Sequence, residues 1–232
     1  MIYSEIVEEL NNLGTEQNKK IFKRHGADLE ISGVSISNLK LLAKKIPKND
    51  SISKELFLSN NTDAVYLSIY LINPNILTVS EIESVIQKTT YYVILENVIP
   101  LLAAKRNDNF DLLHKWLNLT DQKYLQVAYS MYSYMLGSLD NNNFKREHIR
   151  FHINYIKDNI NKSANRTKYA MNNFLIQVGI NYEPLYSEAY DISKLIGRVK
   201  VDMGETSCKV PLAQEYIDKT IKMGKQGIKR KL

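Results

Sequence analysis

Apolar side chains recur three and four residues apart along almost the whole of this chain, a spacing that leaves little room for anything but helices. Ile2, Ile6 and Leu10 mark a first helix, and Ile21 with Phe22 fall on a second. Val34, Ser37, Leu41 and the stretch 43–46 belong to a third, with Ser35 or Ser37 placed to cap it and Pro47 to stop it. Further helices are expected over 54–58, 63–71, 79–88, 91–105, 110–117, 123–136, 145–159, 166–179, 183–196 and 213–223. No alternating stretch is long enough for a sheet, and 197–203 reads as a short extended connector.

The breaks between these helices are short and rich in Asn, Asp, Pro and Gly, as at 47–50, 73–75, 107–109, 119–121 and 139–143. They return roughly every 30 to 40 residues, the period of helical-hairpin repeats of the HEAT type. A hairpin of that size cannot bury its inner face alone and needs its neighbours. The expected fold is therefore all-α: an α-solenoid of HEAT-like helical hairpins, one domain over 1–232 with a basic tail from about 222 to 232.

Charge narrows the class of partner. Lys plus Arg total 31 against 25 for Asp plus Glu, a formal net charge of +6, which favours a polyanion such as DNA or RNA over plain surface solubility. The one cysteine, Cys208, can close no internal disulfide, and no apolar run approaches the ~18 residues of a membrane span. Residues 1–5 do not begin a secretory leader. The expected setting is the cytoplasm, with no membrane, no metal, no cofactor and a monomeric chain.

The candidate chemistry is sparse. His148 and His152 share a helix face, but no glutamate stands between them as in a zinc-protease motif, and Lys145 and Arg150 crowd them with positive charge. The stretch 204–209 lacks the glycine spacing of a phosphate loop. Two basic clusters say more. One holds Lys40, Lys44 and Lys45 with Lys19, Lys20, Lys23, Arg24 and Lys48; the other includes Lys209, Lys229 and Arg230. In a solenoid the two ends of the chain can line one concave groove, so such lysines would grip phosphates along a duplex. Lys123, Arg166 and Lys168 are further expected DNA contacts. Fifteen tyrosines accompany one tryptophan; most should pack the core, while Tyr91 and its neighbours could present ring faces to DNA. Asn172 and Asn173, poor helix formers inside a helix, are expected to face the groove. Trp116 reads as repeat packing.

Three stretches resemble the DNA alkylation repair proteins, the AlkD-like HEAT-repeat DNA glycosylases. They are Gly33-Val-Ser-Ile-Ser-Asn-Leu-Lys-Leu-Leu-Ala-Lys-Lys-Ile46, Lys88-Thr-Thr-Tyr-Tyr-Val-Ile-Leu-Glu-Asn-Val-Ile-Pro100, and Met171–Gly179 with Val201–Pro211. The resemblance implies a clamp on duplex DNA that hydrolyses the N-glycosidic bond of N3- or N7-alkylated purines. The cationic base is already a good leaving group, and an adjacent carboxylate and aromatic faces can stabilise the oxocarbenium-like sugar or orient water. On this resemblance Tyr92 stands at the family's first Trp and Glu96 at its Asp, which makes them the candidate catalytic pair. Asn173 falls near the second Trp and Val127 near the Arg.

Three functions follow. The chain is a glycosylase working through Glu96 with Tyr92 as support; or a binding module for damaged or branched DNA that cuts no bond; or a scaffold for a protein partner, its charge incidental.

Overall fold

The computed structural model describes residues 1–206 and 208–231. Among them every regular element is a helix, and an isolated bridge between Glu30 and Asn61 is the nearest approach to a strand. The chain forms two compact units. The first holds Met1–Asp108 with Gly204–Thr206; the second holds Asn109–Met203 with the described residues beyond 206.

In the first unit, α1 (Tyr3–Leu13), α2 (Glu16–Arg24), α3 (Ile36–Lys45), α4 (Asp50–Leu58), α5 (Thr62–Ser68), α6 (Val79–Lys88) and α7 (Ile99–Ala104) follow in order. Their starts show why the chain folds locally as it does. Thr15, Ser35, Asn49 and Asn61 each turn a side-chain oxygen onto an amide of the first helical turn, and Thr78 with Glu81 forms a reciprocal capping box. Ile6, Leu10, Val34, Leu39, Leu42, Ile46, Leu56, Ala64 and Leu67 close one core beneath α1, α3, α4 and α5. Val34 reaches that core from the loop before the Ser35 cap, and so lies outside the third helix to which the spacing assigns it.

One buried carboxylate fixes the loop that enters α3. Asp63, 1% exposed on the first turn of α5, accepts hydrogen bonds from the backbone N–H of Ser32 (2.7 Å), Gly33 (3.0 Å) and Val34 (2.8 Å). Gly33 is required there: its φ is +84°, and a Cβ would sit 2.7 Å from the Thr15 carbonyl oxygen. Its own carbonyl accepts from Thr15 N–H and the Asn18 side chain, tying α2 to the start of α3.

The second unit holds α8 (Asn109–Leu117), α9 (Gln122–Leu136), α10 (Arg146–Asn159), α11 (Asn165–Asn181), α12 (Tyr186–Ile196) and α13 (Ala213–Lys222); α9, α12 and α13 pack against α11, α8 against α9, and α10 against α12. Trp116, Tyr129, Tyr132 and Phe174 are fully buried, so the tyrosine-rich α9 and the lone tryptophan are core, as their spacing suggests. Stretch 197–203 is a connector without regular structure. No helix among the described residues is long and apolar enough to cross a membrane.

Candidate nucleic-acid interface

In the first unit, α3 presents a cluster of exposed lysines. Leu39 and Leu42 point into the core, and the 3.6-residue turn therefore sends Lys40, Lys44 and Lys45 outward, all three exposed. The helix holds no Asp or Glu, and none of the three lysines joins an ion pair among the described residues. Beside it, α2 buries none of its residues and exposes Lys20, Lys23 and Arg24, while its Lys19 pairs with Glu16 at 2.8 Å.

The segment expected to hold the catalytic pair is built from the loop before it. Asp28 accepts from Thr89 Oγ1 (2.5 Å), Thr90 N–H (2.6 Å) and Thr90 Oγ1 (2.8 Å), and Thr89 Oγ1 in turn accepts from Tyr91 N–H. These bonds depress the Asp28 carboxyl below its ordinary value, against the opposing effect of its partial burial. The helix then widens to a π turn over Ile94–Val98. Pro100 offers a reason: it has no N–H to give the carbonyl of Glu96, and its ring crowds that carbonyl in a regular α-turn. Tyr92 is half-buried, with its ring 5.7 Å from that of His25 and 5.8 Å from that of Tyr91. Glu96 lies within the π turn and is 8% exposed.

Tyr91 is a correction. At 3% exposure it packs against Phe22 instead of offering a face to DNA, and burial pushes its phenol far above the ordinary range. That Tyr91 is buried while Tyr92 is only half-buried cannot be read from the residue types.

In the second unit the N-terminal turns of α9 and α11 are joined. Thr167 Oγ1 donates to the Gln122 carbonyl (2.9 Å), and Ala164 N–H donates to Gln122 Oε1 (2.8 Å). Ala164, the N-cap of α11, has no side chain to accept from the first-turn amides. Arg166 lies over the Tyr169 ring at 4.5 Å, and Asn165 holds the backbone of Asp202 from both sides. Lys123, Arg166 and Lys168 are half-buried around these two turns, and Lys209 is exposed.

Two more expected contacts are corrected here. Asn172 is 1% exposed and donates to the Pro211 carbonyl (3.0 Å), so it anchors the 208–212 stretch; Asn173 beside it is half-buried. Lys229 is spent inside the fold. Its ammonium donates to the Leu136 carbonyl (2.6 Å), Asn141 Oδ1 (2.8 Å) and the Asn181 carbonyl (2.9 Å), which uses all three of its protons. Leu136 and Asn181 end α9 and α11, so one cation neutralises the carbonyl ends of two helices. Arg230 donates its backbone N–H to Gly137, and its side chain stays exposed.

Three of the histidines cluster beside α9, with His152 buried and His114 and His148 half-buried. His148 Nδ1 pairs with the Tyr132 hydroxyl (2.9 Å) and His152 Nδ1 with that of Tyr129 (3.1 Å), while the His114 ring lies 4.6 Å from that of His148. Burial, reinforced by the neighbouring imidazoles, lowers His148 to about 4 and His152 to about 3, so both are neutral near pH 7.

Three comparisons bear on this arrangement. The sequence model of a family described as "DNA alkylation repair enzyme" matches residues 6–194. The uncharacterized protein Lin0241 of Listeria innocua is 31% identical over 223 residues, covering 94% of this chain and 96% of that one. The uncharacterized protein Lmo0209 of Listeria monocytogenes is 30% identical over the same length. A solved structure described as a new family related to the HEAT-like repeat DNA glycosylases, with affinity for branched DNA structures, superposes with a TM-score of 0.91. Its identity is 32%, over 100% of this chain and 99% of that one. The all-helical fold is thus that of the HEAT-like repeat glycosylase relatives, and the chain belongs to the DNA alkylation repair enzyme family.

Proposed function

We propose that this protein binds DNA through phosphate contacts and prefers duplexes that are branched or interrupted. The observation that carries the reading is α3, an acid-free helix with three exposed, unpaired lysines on a face held by a buried leucine pair. Cations placed in this way exchange condensed counterions for phosphates, which yields affinity without sequence preference. The uncapped start of α11 with Arg166 and Lys168 adds a second place where backbone amides and cations favour an anion. The structural neighbour's affinity for branched DNA supplies the preference for branches.

A second reading, excision of N3- or N7-alkylated purines, is favoured by the π turn at Glu96, since such turns cluster at functional sites. There the carboxylate would stabilise the cationic sugar as the charged base departs, with the Tyr92 ring as a minor aid. Single-turnover incubation with duplex containing N7-methylguanine, beside a binding titration on branched and unbroken DNA, separates the two. Binding without base release supports the first reading. Base release that Glu96→Gln slows by on the order of a hundredfold, with affinity unchanged, establishes the second. Absence of any DNA affinity refutes both and leaves a protein scaffold.

A further inference from the structure

We propose that Leu41 is a wedge that reads a break in base stacking, packing onto the exposed face of a terminal base pair at a DNA branch point while lysines hold the phosphates around it. The proposal rests on the DNA-binding reading above and names what that site recognises.

Leu41 is 55% exposed on α3, although the helix has a well-filled inner face and no packing need for an apolar residue outside. Residues three and four positions apart are neighbours on a helix surface. Around Leu41 those neighbours are Ser37, Asn38, Lys44 and Lys45, and Lys40 precedes it. The leucine is thus set among cations and neutral polar groups with no carboxylate on the helix. Ile36, 50% exposed, opens the same helix but lies about 140° round its axis from Leu41, so the leucine is the apolar tip of its own face.

An unbroken duplex offers such a surface only phosphates, since its base-pair faces are stacked on one another. A branch point interrupts the stack and uncovers an apolar base-pair face flanked by phosphates of diverging strands. Apolar side chains of this size are used by DNA-bending proteins to enter opened base steps. The wedge is also rigidly mounted. Leu39 and Leu42 are buried on the other side of the helix, Ser35 caps its start, and Asp63 holds the three residues before that cap. A tip fixed on a rigid element keeps its place when the lysines engage.

The test compares a three-way DNA junction, carrying 2-aminopurine at the branch, with an unbroken duplex of equal length, using the full chain. Leu41→Ser should weaken junction binding about tenfold and change duplex binding less than about twofold, because only the junction loses a buried apolar contact. It should also reduce the change in 2-aminopurine fluorescence that wild-type binding produces at the branch, while Leu41→Met keeps both. Its melting temperature should match wild type, since the residue is outside the core. Equal loss on both DNAs, or unchanged junction binding and fluorescence, overturns the wedge while leaving the DNA-binding reading in place. A wild-type protein that binds neither DNA overturns the reading itself, and the wedge with it.

Discussion

Two lysine-bearing stretches that read alike in the sequence do opposite work. On α3, Lys40, Lys44 and Lys45 are exposed and join no ion pair among the described residues. In the C-terminal stretch, Lys229 is held at the carbonyl ends of α9 and α11, and the backbone N–H groups of Gly227 and Arg230 secure the same stretch to Ile180 and Gly137. The difference teaches that a basic residue becomes structural when it can reach helix-terminal carbonyls, whose partial negative charge no other group satisfies. Lys88 follows the same pattern, donating to the carbonyls of Leu58 and Ser59 at the end of α4. Arg106 does so too, bonding the Pro74 and Leu77 carbonyls and pairing with Asp108.

The comparison is sharpened first by Lys229→Met. Removing the ammonium strands three acceptors and should cost about 3 kcal/mol of stability, read from denaturant unfolding. DNA affinity of the folded fraction should be unchanged. A variant that keeps its stability but loses DNA affinity would return the C-terminal stretch to the DNA-binding side.

A smaller effect concerns the buried imidazoles. His148 and His152 are depressed in the folded state, to about 4 and about 3, chiefly by burial. The unfolded chain, with histidines near 6.5, therefore binds more protons below that pH. Their contribution to stability is complete above about pH 6.5 and is lost as the pH falls toward 4. Melting temperature measured across that window should drop on acidification, and His152→Phe should flatten the drop. A profile unaffected by that substitution would show that the acid response comes from other groups.

The smallest effect is expected on α3 itself. Lys40→Ala, Lys44→Ala and Lys45→Ala should each change stability by less than about 0.5 kcal/mol, since all three are exposed and none joins an ion pair among the described residues. A larger destabilisation in chemical denaturation would mean that these lysines support the fold in the way Lys229 does.

Much of the fold is legible because it depends on local rules. Helix α6 spans the expected 79–88, with Thr78 and Glu81 in place to cap it, and Ser35 caps α3 as its position suggests. Helix α5 ends at Ser68, short of the expected 71, and α4 begins at Asp50, four residues early, because the Asn49 cap outweighs a weak apolar pattern. The candidate site was less legible because its features are tertiary. The inward turn of Tyr91 and Asn172 depends on Phe22 and Pro211, which are distant in sequence. The grip of Asp28 on Thr89 and Thr90 spans about sixty residues, and no spacing announces it. Asp63 gave a faint signal, an acid at the start of an otherwise apolar helix, where a carboxylate has to find amides to be buried at all. The periodicity that finds this helix counts Leu41 with the apolar set, yet Leu39 and Leu42 are the residues that fill the core.

The most direct test of the account is the salt dependence of binding to branched DNA, for wild type, for the Lys40→Glu/Lys44→Glu/Lys45→Glu variant, and for Lys229→Met. If α3 supplies phosphate contacts, affinity falls linearly on a log–log plot with added salt, and charge reversal makes the slope shallower by about 2 to 3. The slope of Lys229→Met should equal that of wild type. Identical slopes for wild type and the α3 variant would contradict the assignment of this surface to DNA.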